Sequence, residues 1–236
     1  MAIPQWLKKT NRGLAMGAGV AAVGYVALMA FNYWRYGKAA VTHRPGQDLL
    51  LDRYIPVPEV VEQHNIAINA PPDVVLATAK KMELLNSPMI RAIIKLRELA
   101  MGGAPDDRVH PTQLLDQMRS IGWVVLAETA GREIVLGAVT QPWVAAPVFR
   151  SIPASEFAGF SEPGYVKIAW TLRADPLGDQ RSIFRTETRV STTDAESRAR
   201  FRKYWAFVAP GVELIRFAML RPLKKEVERK MHLAVA

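Results

Sequence analysis

The sequence predicts an α+β domain in which a curved antiparallel sheet wraps around a long C-terminal helix, preceded by one transmembrane helix. Three observations predict it. Residues 14–34 contain no Asp, Glu, Lys or Arg. Residues 122–191 hold four segments of strand-type alternation separated by turn residues. Residues 194–230 repeat apolar side chains at helical spacing. The order places the sheet and the last helix around one core.

The apolar run LAMGAGVAAVGYVALMAFNYW is 21 residues long. As a helix it measures about 30 Å, the thickness of a bilayer's hydrocarbon core. Lys8, Lys9 and Arg12 precede it, and Arg35 and Lys38 follow. Tyr33, Trp34 and Tyr36 stand at its far edge, where amphipathic rings settle at headgroup level. The competing reading is a cleaved signal peptide, but its apolar core usually spans only about 7–15 residues. Gly37-Lys38-Ala39-Ala40 is the nearest cut for that reading. A retained single-pass anchor is the stronger reading. Gly13, Gly17 and Ala21, like Ala15, Gly19 and Val23, recur every four residues, a spacing that lets helices self-associate. The same small residues are common in any such helix. Residues 17–22 fit the dinucleotide fingerprint GxGxxA by chance, since no strand precedes them. The short basic tail favours a cytoplasmic N-terminus with the domain outside, although Arg35, Lys38 and Arg44 balance Lys8, Lys9 and Arg12.

The 236-residue chain carries a net charge of +9 and no cysteine. Removing an anchor of about 40 residues leaves enough for one sizeable domain. Without cysteine there is no disulfide, thiolate nucleophile or cysteine metal site. The basic charge suits nucleic acid or an anionic membrane. With an anchor present, the bilayer is the expected partner and nucleic acid is not.

Residues 1–36 read as tail and anchor, 37–58 as a linker broken by Pro45, Gly46, Pro56 and Pro58, and 59–231 as the domain. Leu49, Leu50 and Leu51 in the linker suit contact with the domain or the membrane. Residues 60–69 predict a strand with His64, Ile66 and Ile68 on one side. Pro71-Pro72-Asp73 opens a helix over 73–82, and Ser87-Pro88 opens one that Gly102-Gly103 ends. A short helix follows Pro111. Strands 122–128 and 132–140 form a hairpin through Thr129-Ala130-Gly131, a further strand surrounds Val148, and one helical turn lies at 155–160. Strand 164–173 puts Val166, Ile168, Trp170 and Leu172 on one face, and strand 181–191 returns after a loop at 175–179. Thr193 and Glu196 make a capping box for the last helix, which Pro210 kinks or breaks. That helix holds ten Lys and Arg against five Asp and Glu.

Several strings resemble the START-like superfamily (helix-grip fold; SRPBCC; polyketide cyclase/dehydrase and lipid transport). HNIAINAPPDVV at 64–75 resembles its first strand and helix start. REIVLGAV at 132–139, FAGFSEPGYVKIAW at 157–170 and the stretch 185–220 are similar to an uncharacterised bacterial branch. The resemblance covers about residues 52–230 and leaves the anchor outside. It implies a deep apolar cavity between sheet and C-terminal helix, and a hydrophobic ligand: a lipid, sterol or polyketide. Binding or transfer is the first expectation. A cyclase or dehydratase acting on a polyketide-like chain is the second, and a membrane-surface scaffold the third.

No residues announce chemistry. His43, His64, His110 and His232 show no metal-ligand spacing, and no hydrolase or nucleotide-binding motif occurs. No metal or cofactor is therefore expected. His64 reads as an ordinary core-edge histidine before it reads as a cavity residue. Arg185, Glu187 and Arg189 point to one side of their strand. They read either as a solvated outer face or as a buried trio facing the cavity; burying unpaired charge is costly. The expected ligand wall is Trp170, Phe184, Thr186, Thr188, Phe201, Tyr204, Trp205, Val208 and Ile215. In it Thr186, Thr188 and the Tyr204 hydroxyl supply the polar contacts. Pro210 is expected to bend the helix over the pocket mouth.

Overall fold

Two glycines set the hairpins that build the sheet. Gly131 at φ +68° and Gly178 at φ +121° adopt backbone that other residues resist. Around them fold β2 (Val124–Thr129) with β3 (Glu133–Thr140), and β4 (Val166–Pro176) with β5 (Ser182–Thr192). The computed structural model describes residues 23–36, 38, 48–84, 87–103 and 111–235. Strand β1 (Val60–Ile68) completes a five-stranded antiparallel sheet of order β1-β5-β4-β3-β2. Helix α1 covers 23–35, α2 Leu49–Tyr54, α3 Pro72–Lys80, α4 Pro88–Ala100, α5 Leu114–Ser120, α6 Ala154–Phe157 and α7 Ala195–Val235. A five-stranded sheet with one long C-terminal helix across it is the helix-grip arrangement.

Register separates the two faces. Trp170 pairs with Thr188 and Leu136, Leu172 with Thr186 and Ile134, and Ile66 with Phe184. This inner face meets α7 and α3. Trp170, Leu172 and Phe184 join Val75, Leu76, Met219, Leu223 and Val227 in one core. Val60, Val166 and Val190 join Phe201, Trp205 and Ala209 in a second, toward the start of α7. The outer face packs under α2 and α6, where Leu51, Ile55, Leu126, Val135 and Phe157 form a third. Gly137 is required there, because a Cβ would fall 2.4 Å from Leu126 Cδ1.

Several expectations need correction. Residues 49–54, read as linker, form α2, whose Leu51 is fully buried. The strand around Val148 does not form; Val148 is exposed, and one bridge joins Val139 to Arg150. Asp194, not Thr193, caps α7, accepting from the Ser197 backbone N–H at 2.9 Å. The Gly164 and Ser197 donors hold the Asp194 carboxyl well below the usual range. Thr193 instead exchanges hydrogen bonds with the Tyr165 backbone. Helix α7 runs unbroken through Pro210 and Pro222. Beside Pro210, Ile93 of α4 lies 3.0 Å from where a Gly211 Cβ would stand, so α4 crosses α7 at that joint.

Of the expected span 14–34, residues 14–22 lie outside the described residues. Among the described residues no helix is long and apolar enough to cross a membrane. The part seen, α1, rests on the domain. Tyr25 donates its hydroxyl to the Phe207 carbonyl, and Tyr36 donates to Glu59 and packs on Phe201 with ring centroids 5.9 Å apart. Val23, Val26, Leu28, Phe31 and Trp34 face away from it and are exposed.

Candidate ligand-binding site

The inner face carries one polar band between its two apolar cores. Sheet alternation places Glu62 beside Thr188, and His64 beside Thr186, on the side toward α7. Helix α7 supplies the fifth member. Its buried stripe runs Phe201, Trp205, Ala209, Val212, Met219, Leu223 and Val227, and Arg216 occupies the place between Val212 and Met219.

Arg216 donates from Nη2 to Thr188 Oγ1 at 2.6 Å. Its guanidinium lies 4.5 Å from the centre of the Trp170 ring. Trp170 donates its indole N–H to Thr186 Oγ1 at 2.7 Å, which fixes the ring. No carboxylate lies within 4 Å of Arg216 among the described residues. Burial pulls its pKa down to about 10, against the field of Glu62. Glu62 is buried at 6% exposure, and Arg35 of α1 donates to it at 3.0 Å. Burial raises its pKa, while Arg35 and Arg216 lower it and Glu213 raises it. His64 packs edge-on against Phe217 at 5.3 Å, and its Nε2 is buried without a hydrogen-bond partner among the described residues. Burial lowers the His64 pKa, Arg216 lowers it further and Glu213 raises it, with the net effect favouring the neutral ring.

Ile168 stands on a central strand and faces α7, yet it is only half-buried, as are Tyr204, Val208 and Val212, which like it pack against the core of Phe201 and Trp205. These side chains lie between sheet and helix and still reach solvent.

All nine expected wall residues lie on the inner side of the sheet or on α7, and they divide. Trp170 and Phe184 belong to one core, Phe201, Tyr204, Trp205 and Val208 to the other, and Thr186 and Thr188 to the band between. Ile215 is half-buried and joins neither core. Phe201 and Trp205 stack at 5.9 Å. The Tyr204 hydroxyl accepts from Arg97 Nε at 3.4 Å, and Arg97 also donates to the Pro142 carbonyl at 2.9 Å. Tyr204 is thus tied to α4. Sequence reasoning passed over Arg216, Glu62 and Arg97. The signal for Arg216 was present: a basic residue within the apolar stripe of a helix whose other bases lie elsewhere.

Arg185, Glu187 and Arg189 point to the outer face, away from α7, and that face is not simply solvated. Arg189 is 0% exposed and donates to Glu187 at 2.6 Å, Asp52 at 2.6 Å and the Ile55 carbonyl at 3.1 Å. A polar recess of about 270 Å³ opens beside it, lined by Asp48, Gln63, Thr171, Arg173, Asp175, Arg185 and Glu187. Within it Asp175 joins Arg173 at 2.8 Å and Arg185 at 2.9 Å. Nearby Glu133 is pushed up to about 7, by burial and then by Asp48. Among the described residues no cluster of metal-ligating side chains occurs.

No protein-family model and no curated protein matches this chain. Solved structures are similar to it at low identity. Norcoclaurine synthase of Thalictrum flavum, a point mutant with a transition-state analogue, is 10% identical over 73% of this chain and 96% of its own, with a TM-score of 0.33. The Zhui aromatase/cyclase from a Streptomyces species is 12% identical over 73% and 95%, with a TM-score of 0.29. A Deinococcus radiodurans protein is 12% identical over 64% and 99%, with a TM-score of 0.27. At this distance the likeness says nothing of ligand or reaction.

Proposed function

We propose that this chain is a START-like protein that binds or transfers a hydrophobic small molecule between its sheet and α7, at a membrane surface. One observation carries the reading. Ile168, Val208 and Val212 lie between the sheet and α7, against the core at the start of that helix, and are left half-buried. Apolar side chains left half-buried between packed elements, with a few polar groups nearby, suit a ligand site. The bilayer is the source of such molecules. The exposed row Val23, Val26, Leu28, Phe31 and Trp34 on α1 continues the uncharged run of the sequence and supports membrane contact.

The test is native mass spectrometry of the full-length chain purified in detergent. A lipid, sterol or polyketide-sized adduct supports the reading, and an adduct-free chain that takes up none of these contradicts it. Carbonate washing of membranes tests the location. Retention in the pellet supports membrane anchoring, and release of the intact chain by salt alone contradicts it.

His64 favours a second reading, a cyclase- or dehydratase-type enzyme. A neutral imidazole with a buried, unpartnered nitrogen suits proton abstraction. Conversion of a bound molecule by the wild type and not by His64→Ala would establish it.

A further inference from the structure

We infer that the ligand is an amphiphile with a single anionic head, of the long-chain carboxylate class, and that Arg216 holds that head. This rests on the inner space being the ligand site.

Arg216 is a cation placed where an apolar residue belongs. Its neighbours along the buried stripe of α7 are Val212 and Met219. The side chain is partly covered, and desolvation weighs against its charge, a cost that a partner offsets. The protein supplies little of that offset. Arg216 makes one hydrogen bond, from Nη2 to Thr188, and stacks on Trp170. Glu62 acts on it only at a distance, because Arg35 donates to that carboxylate at 3.0 Å. The remaining guanidinium donors have no partner among the described residues. Stacking on Trp170 fixes the plane of the fork, and the bond to Thr188 fixes one arm. A planar fork with free donors suits the two oxygens of a carboxylate.

The surroundings select the rest of the molecule. Glu62, and Glu213 acting on Glu62 and His64, put negative charge in the same band, so a head of charge −1 fits better than a phosphate monoester near −2. Ile168, Val208 and Val212, apolar and half-buried between the sheet and α7, suit a hydrocarbon tail. Ligand binding would then complete an ion pair that the fold leaves half-built.

The test uses the delipidated full-length chain and three probes with one oleoyl-type tail: oleate, oleyl alcohol and oleoyl lysophosphatidic acid. Calorimetry should give oleate at least about tenfold tighter binding than the alcohol, the scale of a charged hydrogen bond. Arg216→Met should abolish that preference. Arg216→Lys, which keeps the charge without the fork, should fall between and serves if the Met variant fails to fold. Equal binding of oleate and alcohol by the wild type would overturn the role of the head group. A preference unchanged in both variants would overturn the role of Arg216. Tighter binding of the phosphate than of oleate would overturn the carboxylate class. Failure of all three probes would instead sink the reading of the inner space as a ligand site.

Discussion

Each face of the sheet meets one arginine, Arg189 fully buried on the outer side and Arg216 of α7 partly covered on the inner side, and the two are treated differently. On the outer face Arg189 is enclosed, with Glu187, Asp52 and the Ile55 carbonyl arranged around it. On the inner face Arg216 has a threonine and an aromatic ring, and its nearest acid is held by another residue. A charge whose partners come from the chain belongs to the structure. A charge left without a counter-ion in an apolar wall costs stability, and a bound anion supplies the missing term. The outer network roofs the sheet with α2, and the inner band is the proposed place of a ligand.

Mutation should separate the two. Arg189→Met leaves Glu187 buried without its partner and should cost about 3–5 kcal/mol in urea unfolding. A loss below about 1 kcal/mol would show that the outer network is held by α2 packing alone. Trp205→Ala should cost about 3 kcal/mol, the low end for a buried aromatic, because several residues packed against its cluster are only half-buried. Arg216→Met should be neutral or stabilise the ligand-free chain by about 1 kcal/mol, since it replaces a poorly paired charge by an apolar group of similar volume. Destabilisation as large as that of Arg189→Met would erase the contrast.

A smaller effect follows from Glu133 on the outer face. Its folded pKa, pushed up to about 7 by burial and Asp48, lies above the unfolded value of 4.5. The folded chain then holds more protons than the unfolded chain between these values, so this group lowers stability as pH rises from 4.5 through 7. Melting temperature measured from pH 5 to pH 8 should fall less in Glu133→Gln than in the wild type. Parallel profiles would place Glu133 in a more solvated site.

The contrast was half legible in the sequence. Alternation on β4 and β5 assigned Trp170, Phe184, Thr186 and Thr188 to the side facing α7, because a period of two leaves each side chain one choice of face. It left Arg189 with two readings, a solvated outer face or a buried trio, and nothing local showed that six residues of α2 would cover it on the outer face. Short elements between prolines have no periodicity to read. Arg216 was lost for the opposite reason, being one of ten basic residues on a helix read for its apolar side chains. Thr193 and Asp194 both suit a helix cap, and the choice came from Gly164, whose backbone N–H donates to Asp194 at 2.6 Å. The described part of the apolar run carried a further surprise, since α1 turns Tyr25 and Tyr36 toward the domain and its other apolar side chains away.

The most direct measurement is the stabilisation that oleate, below its micellar concentration, gives to unfolding of the wild type, Glu133→Gln and Arg216→Met. At about a hundredfold excess over the dissociation constant, one-site binding adds about 2.7 kcal/mol. The wild type and the outer-face variant should both gain an increment of this size, and Arg216→Met should gain little at the same concentration. An equal gain in all three proteins would contradict the division of labour between the faces.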